Sequence, residues 1–130
     1  MLTVPEIINQ IYEKWGEAVR EKVGDNFSME NSTVINDLPY ASLFFLGLPS
    51  SGSTLEGGES GVSPTVQVDI YTTGQRALSN AYEIVNVSHN TLLQIGFQRN
   101  YGPELIQSTD PSVKRLTSRY ERIVGFGEEI

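Results

Sequence analysis

The chain has 130 residues and a mass of 14.4 kDa, the length of one ordinary domain when set against a typical size of about 150 residues. It has no cysteine and a single histidine, which excludes disulfides, thiolate metal centres, cysteine nucleophiles and any multi-histidine metal site within one copy. Sixteen acidic residues against nine basic ones leave a net charge of −7, unfavourable for general binding to duplex DNA, where phosphate neutralisation dominates affinity.

The first predicted element is a helix over residues 4–23. Val4, Ile7, Ile8, Ile11, Trp15, Ala18, Val19 and Val23 recur at the helical period and form one apolar stripe. Thr3 and Glu6 have capping-box spacing, Pro5 is tolerated in a first turn, and Gly24 is a natural stop. Residues 27–48 read as extended: a weak strand over Ser28–Ile35, a turn at Asn36, Asp37 and Pro39, then Tyr40–Leu48. The last run is so apolar that both of its faces are expected to be covered.

Residues 49–63 (PSSGSTLEGGESGVS) hold too little apolar surface to order alone. They are expected to form a flexible Gly/Ser-rich loop, or an arm that orders against a neighbouring chain, with Leu55 and Val62 as its large apolar anchors. Residues 65–71 alternate, with Val66, Val68 and Ile70 on one face and Gln67, Asp69 and Tyr71 on the other. A second helix is predicted over 75–95, its core side formed by Leu78, Tyr82, Val85, Leu92 and Ile95. A short strand Phe97–Tyr101, a turn at Gly102-Pro103, a loop through Asp110-Pro111 and a long last strand over 113–126 complete the chain. In that last strand Leu116, Ser118, Tyr120, Arg122, Val124 and Phe126 share one face, and Arg115, Thr117, Arg119, Glu121 and Ile123 the other. The expected fold is therefore a single α+β domain over 1–130, order α-β-β-β-α-β-β, with two helices on one face of a mostly antiparallel sheet.

Nothing in the sequence supplies a catalytic constellation, and no cofactor or metal site is expected. His89 lies on the flank of the second helix, where a histidine is more often a structural residue with one hydrogen bond than a base, and no Gly-x-Ser-x-Gly elbow accompanies it. The loop glycines do not match a phosphate-binding pattern. Asp69 and Glu83 fall on different elements, so their spacing argues no paired-carboxylate chemistry. The triplets at Asn26, Asn31 and Asn86 read as chance, the last falling in mid-helix. No apolar run approaches the roughly 20 residues of a membrane span, and no membrane partner is expected.

Charge is distributed unevenly. Residues 1–69 carry ten acids and three bases, whereas 70–130 carry six of each. The basic cluster on the last strand, with Lys114, Arg115, Arg119 and Arg122, reads either as a solvated face with internal pairing or as a stripe that meets the acidic half of a neighbouring copy.

The run from Val62 to Leu105, followed by Thr109–Phe126, resembles the tail terminator (tail completion) proteins of long-tailed bacteriophages. The matching elements are Val66-Gln67-Val68-Asp69-Ile70-Tyr71, a helix with Ala77 and Ala81, then Leu92-x-x-x-Gly96-Phe97-x-Arg99, and Asp110 ahead of a strand carrying Arg119-Tyr120. The resemblance covers about half of the chain and contains no motif with chemical necessity. It implies a small α+β subunit of the virion tail and neck, assembled in the host cytoplasm. Such a subunit closes into a ring, typically hexameric, caps the tail tube protein, stops tube growth and meets a head-side connector protein. DNA would pass through without sequence-specific binding. Contact residues for a neighbouring copy or the tube are expected among Leu55, Glu56, Glu59, Val62, Arg115 and Arg119. The other readings of the sequence are a head–tail connector or neck adaptor, a tail-tube-like subunit, a small ligand-binding module and a small hydrolase using His89.

Overall fold

The computed structural model describes residues 3–29, 37–48, 50–51, 61–122 and 124–125. In chain order these form helix α1 (Val4–Val23), β1 (Phe27–Ser28), β2 (Tyr40–Gly47), β3 (Ser50–Ser51), β4 (Gly61–Val62), β5 (Thr65–Thr73), helix α2 (Ala77–Gln94), β6 (Gln98–Ile106), β7 (Val113–Glu121) and β8 (Val124–Gly125). The principal sheet has the order β1-β2-β5-β7-β6, antiparallel throughout except for the parallel β1–β2 pair. Both helices pack on one face of it, an α+β architecture. A second, three-stranded sheet has the order β3-β4-β8.

Helix α1 starts where Thr3 Oγ1 accepts the Glu6 backbone N–H at 3.3 Å, satisfying one of the orphan donors of a first turn. It ends at Gly24, whose φ of 63° suits a residue without a Cβ. Ile7, Ile11, Trp15 and Val19 are fully buried beneath it. Large apolar side chains buried to this degree each contribute about 1.5–3 kcal/mol. From the sheet, Leu43, Val66, Ile70, Leu116 and Tyr120 meet them, and Leu92 and Phe97 close the core from α2 and its exit. Trp15 Nε1 donates to Ser88 Oγ at 2.8 Å in the buried seam between the helices, so the indole is satisfied where water cannot reach it.

Several expectations need correction. The inward side of α2 is not Leu78–Tyr82. Ala77, Ala81, Ile84, Val85, Ser88 and Leu92 are buried, whereas Leu78 and Tyr82 are 43% and 41% exposed. Ala77, Ala81 and Ser88 fit the inward side, where α2 lies close to both α1 and the sheet, beside Ile84, Val85 and Leu92, while Leu78 and Tyr82 are rotated out. The Gly102-Pro103 pair does not end a strand. β6 runs through it to Ile106 with two breaks in register against β7. At Gly102 the backbone has φ 81°, and a Cβ there would sit 2.2 Å from the Thr117 carbonyl oxygen, so glycine lets the strand continue rather than turn.

The last strand is also shorter than predicted. It stops at Glu121; Arg122 N then donates to the Pro64 carbonyl at 3.1 Å, and Val124–Gly125 pairs with β4 in the second sheet. Pro64 lacks an N–H, so the ladder breaks there on one strand and its partner leaves with it. β2 is not covered on both faces, since Leu46 is 47% exposed. Of the predicted strand at Ser28–Ile35, residues 30–36 lie outside the described residues, and the strand seen is Phe27–Ser28. Of the 49–63 loop, 49 and 52–60 lie outside them, while its ends pair with each other as β3 and β4.

Candidate functional site

Alternation along β5 sends Gln67, Asp69 and Tyr71 to the sheet face away from the helices, as predicted. The register then places Arg119 opposite Gln67, Thr117 opposite Asp69 and Arg115 opposite Tyr71. The result is a polar cluster in the middle of the sheet. Asp69 is fully buried and accepts from Thr117 Oγ1 at 2.7 Å, from Arg115 Nη2 at 2.9 Å and from Gln67 Nε2 at 3.2 Å. Gln67 Oε1 in turn accepts from Arg119 Nε at 3.0 Å. The two guanidinium groups lie over aromatic rings, Arg115 at 5.5 Å from the Tyr71 centroid and Arg119 at 5.1 Å from that of Tyr101. Burial pushes the Tyr71 phenol above its ordinary range; Asp69 adds to this and Arg115 opposes it.

A carboxylate buried without partners would be very costly. Here its lone pairs are met from three side chains, so Asp69 has no role left as a free base. The cluster is a hydrogen-bonded polar network across β5 and β7. Ser42 Oγ, across β2 from Asp69, and Arg115 Nε are buried without a hydrogen-bond partner. Arg119 keeps an exposed guanidinium at the rim.

On the helix side, His89 Nδ1 is hydrogen-bonded to the Tyr120 hydroxyl at 2.8 Å, tying α2 to β7. Arg99 of β6 lies beside both groups. Burial, with Arg99 as a smaller contribution, pulls the imidazole below its ordinary pKa. Burial pushes the Tyr120 phenol up, with Arg99 opposing. A cavity of about 160 Å³ between α1, α2 and the end of β5 is bordered by Lys22, Thr72, Asn80 and Glu83. It falls short of the roughly 300 Å³ at which small-molecule sites begin, whereas an open depression of about 350 Å³ beside Leu105, Val113 and Lys114 reaches that size. Among the described residues, no three His, Asp or Glu side chains are grouped to hold a metal ion, and no helix is long and apolar enough to cross a membrane.

The six residues singled out from the sequence have different fates. Leu55, Glu56 and Glu59 lie outside the described residues. Val62, on β4, is buried in this chain's own core. Arg115 and Arg119 do share one sheet face; Arg115 is paired internally with Asp69, while Arg119 is the more exposed of the two. Sequence reasoning missed the burial of Gln67 and Asp69 and the part played by Tyr101, because these depend on which strand lies beside which. It also missed the outward apolar row of α2. The available signal was that α2 carries one charged residue, Glu83, in 18.

No protein-family profile matches this chain, and no curated protein matches it in sequence. In fold it is similar to a chain in the solved structure of the virion of a native gene transfer agent particle. The two are 11% identical, with a TM-score of 0.63, over 88% of this chain and 91% of that one. At this level of identity the likeness is one of fold.

Proposed function

We propose that this protein is a structural subunit of a phage-like virion, which forms a ring, typically hexameric, that caps the tail tube, ends its growth and offers a surface for joining the head. The observation that carries the reading is the fold likeness to a chain of a gene transfer agent virion, which spans nearly the whole of both chains. The terminator role rests on the sequence pattern from Val66 through Tyr120. The polar sheet face is compatible with it: its buried carboxylate is engaged by Arg115, Thr117 and Gln67, and Arg119 stands exposed beside them. In this reading the face bearing Arg115 and Arg119, together with the 49–63 segment, meets a neighbouring virion protein, and DNA passes through without being read.

The mechanism is geometric. Heterologous contacts close into a ring when the rotation between neighbours divides the circle, and the tube stops because the ring's outer surface no longer matches a tube subunit. The test is electron microscopy of particles made without the protein. Tubes of uncontrolled length, unattached to heads, are expected. Tails of normal length joined to heads would overturn the proposal, and binding of the purified protein to empty portals rather than to tube ends would make it a neck adaptor.

A further inference from the structure

Helix α2 is unusual for a helix facing solvent. One of its 18 residues is charged, yet Leu78, Tyr82 and Leu93 are 43%, 41% and 46% exposed. Their positions differ by four and eleven residues, which places them on one side of the helix. The contacts show which side. Ser88 reaches back to Trp15 of α1, whereas His89, on the same side as the exposed row, reaches Tyr120 of β7. The row therefore faces the β6 end of the sheet, away from α1. There β6 adds Leu105, which is 51% exposed, and Arg99, both at positions facing the helix layer because they lie opposite the buried Leu116 and Tyr120. Arg76 stands exposed at the start of α2. An apolar, tyrosine-bearing patch with few acids, bordered by arginines, has the composition of a protein–protein interface core.

β6 is the edge of the sheet; among the described residues it pairs with β7 alone. Its two register breaks and Pro103 blunt it as a template for an added strand. The occupant must therefore dock through side chains.

We propose that the α2–β6 flank seats a second copy of this chain, which docks through the acidic outer face of its own α1. Charge selects this occupant. Residues 3–29 hold five acids and three bases, while the flank has Arg76 at the start of α2 and Arg99 on β6 against Glu83, the one acid of α2. On α1, Glu6, Glu13 and Glu17 recur at helical spacing on the exposed side, opposite the buried stripe. The geometry agrees: α1 packs on β1 and β2, whereas α2 packs mainly on β5 and β7 and reaches β6 at its far side, so the two surfaces face away from each other across the helix pair. Such a contact is heterologous, the type that propagates around a ring. The proposal deepens the ring reading above and relies on it only for self-association.

The experiment uses the full chain in two charge-reversed forms, R76E/R99E and E13K/E17K, followed by sedimentation at low and high salt. Each form alone is expected to self-associate about tenfold more weakly than the parent. An equimolar mixture is expected to recover assembly, because every contact in an alternating ring is then complementary, and raising the salt from about 0.05 to 0.5 M is expected to weaken it. Leu93→Glu is expected to weaken association without changing the circular dichroism spectrum. Variants that assemble as the parent does, or a mixture that stays dissociated while both forms are folded, would overturn this contact. The virion role would stand or fall separately, on the particles made without the protein. A parent chain that remains monomeric at millimolar concentration would also overturn the contact.

Discussion

Helices α1 and α2 lie side by side on the same sheet and solve the problem of being half-buried in opposite ways. α1 carries seven charged residues in 20, has a side-chain cap at its start and a glycine stop at its end, and turns its large apolar residues inward. α2 has one charge, no side-chain cap and no charged residue placed to favour its dipole; it buries Ala77, Ala81 and Ser88 beside Ile84, Val85 and Leu92, and shows Leu78, Tyr82 and Leu93 to the outside. The sequence of α1 favours a helix that water can surround. The sequence of α2 is adapted to tertiary contact on its inner side, and in the proposed ring its exposed row meets a neighbouring copy. A helix can be well packed in a monomer and still be incomplete as a surface.

The largest expected effect tests the seam that joins the two helices. Trp15→Ala removes the bulkiest core side chain and leaves Ser88 Oγ without its donor. It is expected to cost about 3–5 kcal/mol in denaturant unfolding, with Trp15→Phe costing less. A loss below about 1 kcal/mol would mean that the helices are held independently by the sheet.

Capping comes next. Thr3→Ala is expected to destabilise by about 1 kcal/mol, because the start of α1 relies on its side chain. The converse change is possible at α2, whose N-cap residue Arg76 makes no side-chain cap bond. Arg76→Ser is expected to raise stability by about 0.5–1 kcal/mol. Were both changes neutral, the contrast in local design would carry no energetic weight.

The smallest effect is a pH dependence confined to α2. The folded-state pKa of His89 lies below its ordinary value, chiefly through burial and then through Arg99. As pH falls below about 6.5, the unfolded chain therefore takes up its proton first. The stabilisation is whole above that pH and declines as the pH drops through the folded-state value. His89→Gln is expected to flatten the stability profile between about pH 7 and 5. An unchanged slope would assign the dependence to other groups.

Local rules made the first half of this contrast legible. The bounds of α1, its cap and its stop follow from residues within one turn of each other, and the alternation of β5 follows from neighbours two apart. What was not legible depends on distant partners. Leu78 and Tyr82 fit an apolar stripe as well as Ala77 and Ala81 do, and only the close approach of α1 decides which set turns inward. Gly102-Pro103 has the composition of a turn, yet it continues a strand because the Thr117 carbonyl lies against it. Asp69 has the right parity for an outward residue, and outward it points; its complete burial comes from Arg115 and Thr117 on a strand nearly 50 positions later. The segment from 52 to 60, which held half of the predicted contact residues, lies outside the described structure.

The Asp69–Arg115 pair has a consequence for how this sequence can drift. Losing Arg115 alone strands an interior anion, and losing Asp69 alone leaves a guanidinium, a hydroxyl and an amide without their common acceptor. Either intermediate is penalised by about 3–5 kcal/mol, a large share of a small domain's total stability. Exchanging both at once for apolar groups of similar volume removes the unpaired charge but still leaves the buried Thr117 hydroxyl and Gln67 amide without an acceptor, so it costs less than either single loss without being neutral. Divergent descendants should therefore hold positions 69 and 115 together or abandon them together, so the two sites evolve as one unit although 46 positions separate them along the chain.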